Sequence, residues 1–211
     1  CGRRRDLGAA SARPPRGVKT TAPRRRRDHS AVSSRPLRGV VATSSRRRGH
    51  FARAADELIE VLKTEQGMLD SVVRREVHES ISQIKHTLQV SPEELASIHQ
   101  ADGSFDAEIM KVPYGIIAAI VPWNAPISLA TAKVIPALLA GNAVIVKPSP
   151  RAPHGVTKFL DLLRNCLPPG LISVLHGLDE LSEAMIKHRE IRKVSFTGST
   201  AVGKKVAMAA S

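Results

Sequence analysis

Apolar positions along this chain fall into two regimes. Through residue 50 they are sparse and follow neither a 3.6-residue nor a 2-residue period. From His50 onward Ala54, Ala55, Leu58, Ile59 and Leu62 recur at helical spacing, and Gly67 is placed to close that helix in the left-handed conformation. A second helix follows Asp70, with Val73, Val77, Ile81, Ile84 and Leu88 on one face. Ser91-Pro92-Glu93-Glu94 reads as a capping box with proline at the first helical position, opening a short third helical turn. The segment HQADGSFDAE over 99–108 reads as a polar connection.

After Ile109 the rhythm alternates between short β-branched runs and helical stretches. Ile116–Val121 is apolar at every position, as expected of a strand covered on both faces. Pro126–Leu139 is predicted helical with a kink at Pro136, and Gly141-Asn142 ends it. Strands are predicted at Ala143–Lys147, Leu171–Leu175 and Lys193–Phe196; helices at His154–Asn165, Glu180–His188 and from Thr200 onward. Four βα units in series predict an α/β fold: a partial, doubly wound parallel sheet of the Rossmann-like type, preceded by N-terminal helices. Ligands on such sheets bind beyond the carboxyl ends of the strands, so those ends carry the search for chemistry.

Charge changes the picture less than its total suggests. The net charge of +13 divides into 15 Lys+Arg against two acids over residues 1–50 and an even balance beyond. Arg3–Arg5, Arg24–Arg27 and Arg46–Arg48 are set among Pro, Ala, Gly and Ser, a composition that predicts a disordered leader over 1–50 and a folded domain over 51–211. Such a leader suits a transit peptide or a polyanion-binding arm, but it begins at Cys1 rather than Met and has no amphipathic period. Translated GC-rich sequence explains it better, which makes organelle targeting and nucleic-acid binding the minority readings. The apolar runs are too short to span a membrane. Cys1 and Cys166 form no disulfide framework and have no metal-ligand spacing, so the expectation is a reduced, cytoplasmic compartment and no metal.

The strand ends are informative one by one. The first runs into Pro122-Trp123-Asn124-Ala125-Pro126, where two prolines stiffen a loop carrying an aromatic ring and an amide. The Asn124 amide can donate to a developing oxyanion, or merely cap the next helix. The second ends at Lys147-Pro148-Ser149-Pro150, a lysine that reaches a ribose or phosphate, or snorkels to water. The third ends at His176-Gly177, where a glycine lets a flat ring approach the backbone. The fourth gives FTGSTAVGKK, a strand, Gly-rich turn and helix start that present free N–H groups to a phosphate, or simply pack tightly. Its spacing imitates a P-loop, but Lys205 stands where the Mg²⁺-binding hydroxyl belongs, which disfavours an NTPase.

In this order and spacing the stretches VPYGIIAAIVPWNAPISL, KVIPALLAGNAVIVKPSP, LPPGLISVLHG and IRKVSFTGSTAVGKK resemble the NAD(P)-dependent aldehyde dehydrogenases. LKTEQGMLDSVVRREV resembles that family's N-terminal helices, so the likeness spans about residues 52–211. It implies an enzyme that oxidises an aldehyde to an acid with NAD or NADP and works as a homo-oligomer. Asn124 would then supply the side-chain N–H of an oxyanion hole, and Lys133 a proton relay. Lys147 would reach the adenosine ribose with Ser149 beside it; Ile120, Pro122 and Trp123 would border the pyrophosphate and nicotinamide; Gly198 and Ser199 would contact the same half, and Val202 would pack on adenine. Gly177 lies at the neighbouring strand end.

Departures from the family pattern carry expectations too. Many members place Glu three residues after the lysine of KPS to hold the ribose diol; Pro150 stands there, followed by Arg151, which predicts tolerance of a 2′-phosphate. Ala125 replaces the usual Phe after PWN and predicts a differently lined aldehyde tunnel. The family's nucleophilic Cys and general-base Glu lie downstream of the FTGST turn, so this chain reads as an N-terminal fragment that supplies part of the cofactor site and is inactive alone. The competing reading is a noncatalytic nucleotide- or nucleic-acid-binding protein acting through its Arg-rich arm.

Overall fold

A computed structural model describes residues 45–102 and 106–210, with side chains from Ala54 onward. The leader expectation for 1–50 and the reading of Cys1 therefore fall largely outside the described residues. Helix α1 (Ser45–Gln66) begins five residues before His50 and ends at Gly67, whose φ of 64° and N–H bond to the Lys63 carbonyl make the expected left-handed stop. Helix α2 spans Asp70–Glu94 without interruption.

That continuity corrects the expected capping box. Ser91 does not cap a new helix; its hydroxyl donates back to the Thr87 carbonyl at 2.5 Å. Pro92 removes one helical N–H, yet the last turn holds because Leu95 N donates to the Ser91 carbonyl. Carrying the helix on keeps both Leu88 and Leu95 packed against the core. The expected apolar face is also rotated: Val73 and Val77 are buried, but Ile81 is exposed and the polar Glu76 and Ser80 are buried instead.

The connection over 99–108 is likewise corrected, for it contains a β-hairpin. Strands β1 (Ile98–Ala101) and β2 (Asp106–Ile109) pair antiparallel with Ile98 opposite Ile109 and His99 opposite Glu108. Neither strand buries a face, so no apolar alternation announced it.

The remaining elements follow the expected series: β3 (Ile116–Val121), α3 (Pro126–Leu139), β4 (Ala143–Pro148), α4 (Pro153–Arg164), β5 (Ile172–Val174), α5 (Asp179–Lys187), β6 (Ile191–Phe196) and α6 (Thr200–Ala209). The sheet is parallel with order β5-β4-β3-β6. Chain direction across the sheet reverses between β5 and β6, so the crevice of this doubly wound fold opens where β3 and β6 part company.

Alternation along the strands sorts the core. Ile117, Ala119 and Val121 of β3 join Val144 and Val146 of β4 in the main cluster with α3 and α4. Ala118, Ile120, Ile145 and Lys147 take the opposite face, against which α5 packs. Helices α1 and α2 form an outer layer, α1 on α4 and α2 on α3. Among the described residues no helix is long and apolar enough to cross a membrane.

Leu62 marks the tightest point of the outer layer. It is fully buried, and a Cβ built on Gly155 of α4 would stand 2.4 Å from its Cδ2. Leu62→Ala is expected to cost about 2–5 kcal/mol. Gly155→Ala is expected to cost about 1–3 kcal/mol by overpacking. The pair combined should be less damaging than the two losses added, in urea unfolding followed by circular dichroism. Strict additivity contradicts the packing described.

Candidate functional site

Register gathers the candidate residues at one edge. Ile120 lies opposite Lys147 on one side and Phe196 on the other, so the carboxyl-terminal ends of β4, β3 and β6 form a row. Pro122, Trp123 and Asn124 continue from β3, Ser149 from β4, and Gly198 and Ser199 from β6. Val202 follows in the first turn of α6 and is exposed. Gly177 stands apart, since it follows the edge strand β5, two strands from β3.

Lys147 is the chemically unusual member. It is 3% exposed, and no hydrogen-bond or salt-bridge partner accompanies it among the described residues. Burial holds its ammonium below the ordinary lysine range, and the charge of Asp179 at the start of α5 opposes that shift. An ammonium at the end of a buried stem, at a strand end and without a partner of its own, fits a ligand bearing hydroxyl or phosphate oxygens.

Lys133, on the second turn of α3, reaches across the crevice to donate to Thr197 Oγ1 at 2.5 Å. Burial lowers its pKa as well. This bond ties the helix after β3 to the loop after β6. Trp123 is 47% exposed, its ring facing the Arg151 guanidinium at 6.0 Å and its carbonyl accepting from Gln66 Nε2 at 2.6 Å. Ser149 Oγ accepts from Arg151 N at 3.3 Å, an Asx-like turn that orders the loop after β4.

Asn124 does not cap α3, whose N-cap is Ala125 with no side-chain bond; its amide is exposed at the edge. The glycines of the site have packing reasons of their own. A Cβ on Gly198 would stand 2.4 Å from the Phe196 ring, and one on Gly177 would stand 2.7 Å from Leu181. Ser199 is the N-cap of α6, its hydroxyl accepting from Val202 N at 3.3 Å.

Sequence reasoning missed two residues of the N-terminal helices. Glu76 Oε1 accepts from Ile127 N at 2.7 Å and Ser128 N at 3.2 Å, at the start of α3. Glu65 accepts from His154 N at 2.6 Å and Gly155 N at 3.0 Å, at the start of α4. Each helix opens with Ala-Pro, and Ala125 and Ala152 share one backbone conformation, φ near −150° and ψ near 65°. That repeated Ala-Pro was the available signal: a helix start with no hydroxyl, amide or carboxylate of its own needs a partner from elsewhere.

With this geometry in view, the comparisons with known proteins decide the family. The sequence profile of the aldehyde dehydrogenase family matches residues 26–211. This chain belongs to that family.

Aldehyde dehydrogenase LUC3 of a Fusarium species is 44% identical over 105 residues, 50% of this chain and 22% of the relative. The acetaldehyde dehydrogenase of Pseudomonas aeruginosa is 42% identical over 95 residues, 44% of this chain and 19% of that protein. Among solved structures, an NAD-dependent benzaldehyde dehydrogenase from Corynebacterium glutamicum superposes with a TM-score of 0.68 at 28% identity, covering 75% of this chain and 36% of the other. The chain spans about a third of the length of the curated relatives that it matches over 152 to 161 residues.

Glu76 gives this site a measurable pH signature. Burial raises its carboxyl above the ordinary glutamate value, against the amide bonds from Ser128 and Ile127, which lower it. The unfolded chain ionises first as pH rises, so stability falls through the window between the ordinary and the raised value. Glu76→Gln keeps the acceptor without the titration and is expected to flatten that decline in Tm. Glu76→Ala leaves two amides unpaired and is expected to lose about 1–3 kcal/mol at every pH. A wild-type Tm that falls no faster than that of Glu76→Gln across this window contradicts the assignment.

Proposed function

We propose that this chain forms the dinucleotide-binding part of an enzyme that oxidises an aldehyde to a carboxylic acid with NAD or NADP as acceptor. The observation that carries the reading is Lys147, a lysine with a buried stem whose ammonium has no hydrogen-bond or salt-bridge partner among the described residues, at the carboxyl end of a central parallel strand. Named relatives support the cofactor class: one solved neighbour is described as NAD-dependent, and a glyceraldehyde-3-phosphate dehydrogenase from Methanocaldococcus jannaschii is described as complexed with NADP.

The residues present fit such a cofactor. Lys147 and Ser149 would hold the adenosine ribose, with Val202 on the adenine. Ile120, Pro122, Trp123, Gly198 and Ser199 would border the pyrophosphate and nicotinamide side, and Gly177, at the end of the edge strand β5, would let a flat ring approach the backbone. When bound, the dinucleotide supplies a two-electron acceptor. Asn124 would donate its amide N–H to the aldehyde oxygen as negative charge develops there. Lys133, with its lowered pKa and its bond to Thr197, is suited to hold and pass a proton near that oxygen. In this reading 51–211 is the folded cofactor portion, and the complete enzyme is a homo-oligomer.

Arg151 lies against the Trp123 ring and Pro150 offers no carboxylate, so nothing at this loop repels a 2′-phosphate. NAD⁺ and NADP⁺ are therefore expected to bind within about tenfold of each other. Trp123 is the only tryptophan, and quenching of its emission reads the binding directly. Lys147→Met, which keeps the buried stem, is expected to weaken both cofactors by about 10- to 100-fold. Unchanged affinity in that variant overturns the reading. The 211-residue chain is expected to bind cofactor without aldehyde-dependent reduction of it. Cys166, the one cysteine among the described residues, sits just past the end of α4 with its thiol on the Leu162 carbonyl.

A further inference from the structure

Four helices begin at this edge, after β3, β4, β5 and β6, and those after β3, β4 and β6 adjoin the row of candidate residues. Each N-terminus is a place where exposed N–H groups attract an anion. Two are already filled by this chain. Glu76 occupies the start of α3 through the second and third helical amides, and Glu65 occupies the start of α4 through the same two positions. Both carboxylates come from the outer helices, more than fifty residues away in sequence for Glu76 and nearly ninety for Glu65. The third, α6, is capped only by the hydroxyl of its own Ser199.

Each filled start adjoins a loop of the proposed groove. The α3 start is the end of the loop holding Trp123 and Asn124, whose backbone is fixed again by Gln66 on the Trp123 carbonyl. The α4 start is the end of the loop holding Ser149 and Arg151. The two alanines at these N-caps have no side chain able to do the work locally.

We propose that Glu65 and Glu76 are positioning residues of the dinucleotide groove. They fix the two loops that follow β3 and β4. This rests on the cofactor reading above. The carboxylates act through the loops, not on the ligand.

The test uses the 211-residue chain with NAD⁺ and NADP⁺ as probes, binding being followed by Trp123 emission at a temperature where circular dichroism shows every variant folded. Glu65→Ala is expected to weaken both cofactors by about tenfold, and Glu65→Gln, which retains an acceptor for the amides, to return affinity to within about twofold. Glu76→Ala and Glu76→Gln are expected to behave the same way. Leu58→Ala, which loosens the same outer layer two turns before Glu65, is the control and should bind within about twofold of wild type. Alanine variants that bind as well as wild type, or more tightly, overturn the proposal. So do glutamine variants as weak as the alanine ones, or a Leu58→Ala loss as large as theirs. A wild-type chain that binds neither cofactor instead removes the underlying reading of the groove, and this proposal with it.

Discussion

Everything in this molecule depends on β3 being covered on both faces and bonded on both sides. Its residues from Ile117 to Val121 are buried, so neither face can be given to solvent, and its N–H and C=O groups must be met by neighbouring strands. Parallel pairing to β4 and β6 meets that need and sets the registers that place Ile120 between Lys147 and Phe196. Small residues at 118 and 119 let helices approach from each side, α3 over one face and α5 over the other. The edge where chemistry is possible is thus a by-product of how a single strand is satisfied.

How much of this could be read from the amino acids depended on where burial was local. The runs 116–121 and 143–146 stand out because a doubly covered stretch of strand has no polar position, and the helices between the strands follow from loop length and turn residues. The hairpin over Ile98–Ala101 and Asp106–Ile109 did not stand out, since its residues bury no face and carry no alternation. The passage of α2 through Pro92 was hidden for another reason. A proline in the last turn forfeits one bond, and the packing of Leu88 and Leu95 outweighs it, a balance that only the core reveals.

The candidate site divides along the same line. Residues at strand ends were legible because topology alone sends them to one edge. The bond between Lys133 and Thr197 was not, because it joins elements 64 residues apart across a crevice whose width sequence does not state. Glu65 and Glu76 were legible only by absence, in helix starts lacking a cap of their own. Glu76 sits where a helical period would place an apolar residue, and it is tolerated there because two backbone amides receive its charge.

The glycines sharpen the contrast with the familiar way of holding a dinucleotide. Where a Gly-rich fingerprint exists, its glycines let backbone approach the pyrophosphate. At Gly198 and Gly177 the missing side chain already makes room for the chain's own Phe196 and Leu181. Backbone approach is therefore not the only demand on these positions, and the grip on a ligand has to come from elsewhere along the edge. Lys147 is placed to provide it. On the proposed cofactor reading its ammonium, at the end of a buried stem on the α5 face and opposite Ile120 in the sheet, would gain from any oxygen that enters. The charge of Asp179 alone does not neutralise it, since burial still prevails in lowering its pKa. On that reading, a site built this way would draw ligand in by meeting an unpaired charge, and it would stay open to either phosphorylation state of the ribose because no carboxylate stands at position 150 to refuse one.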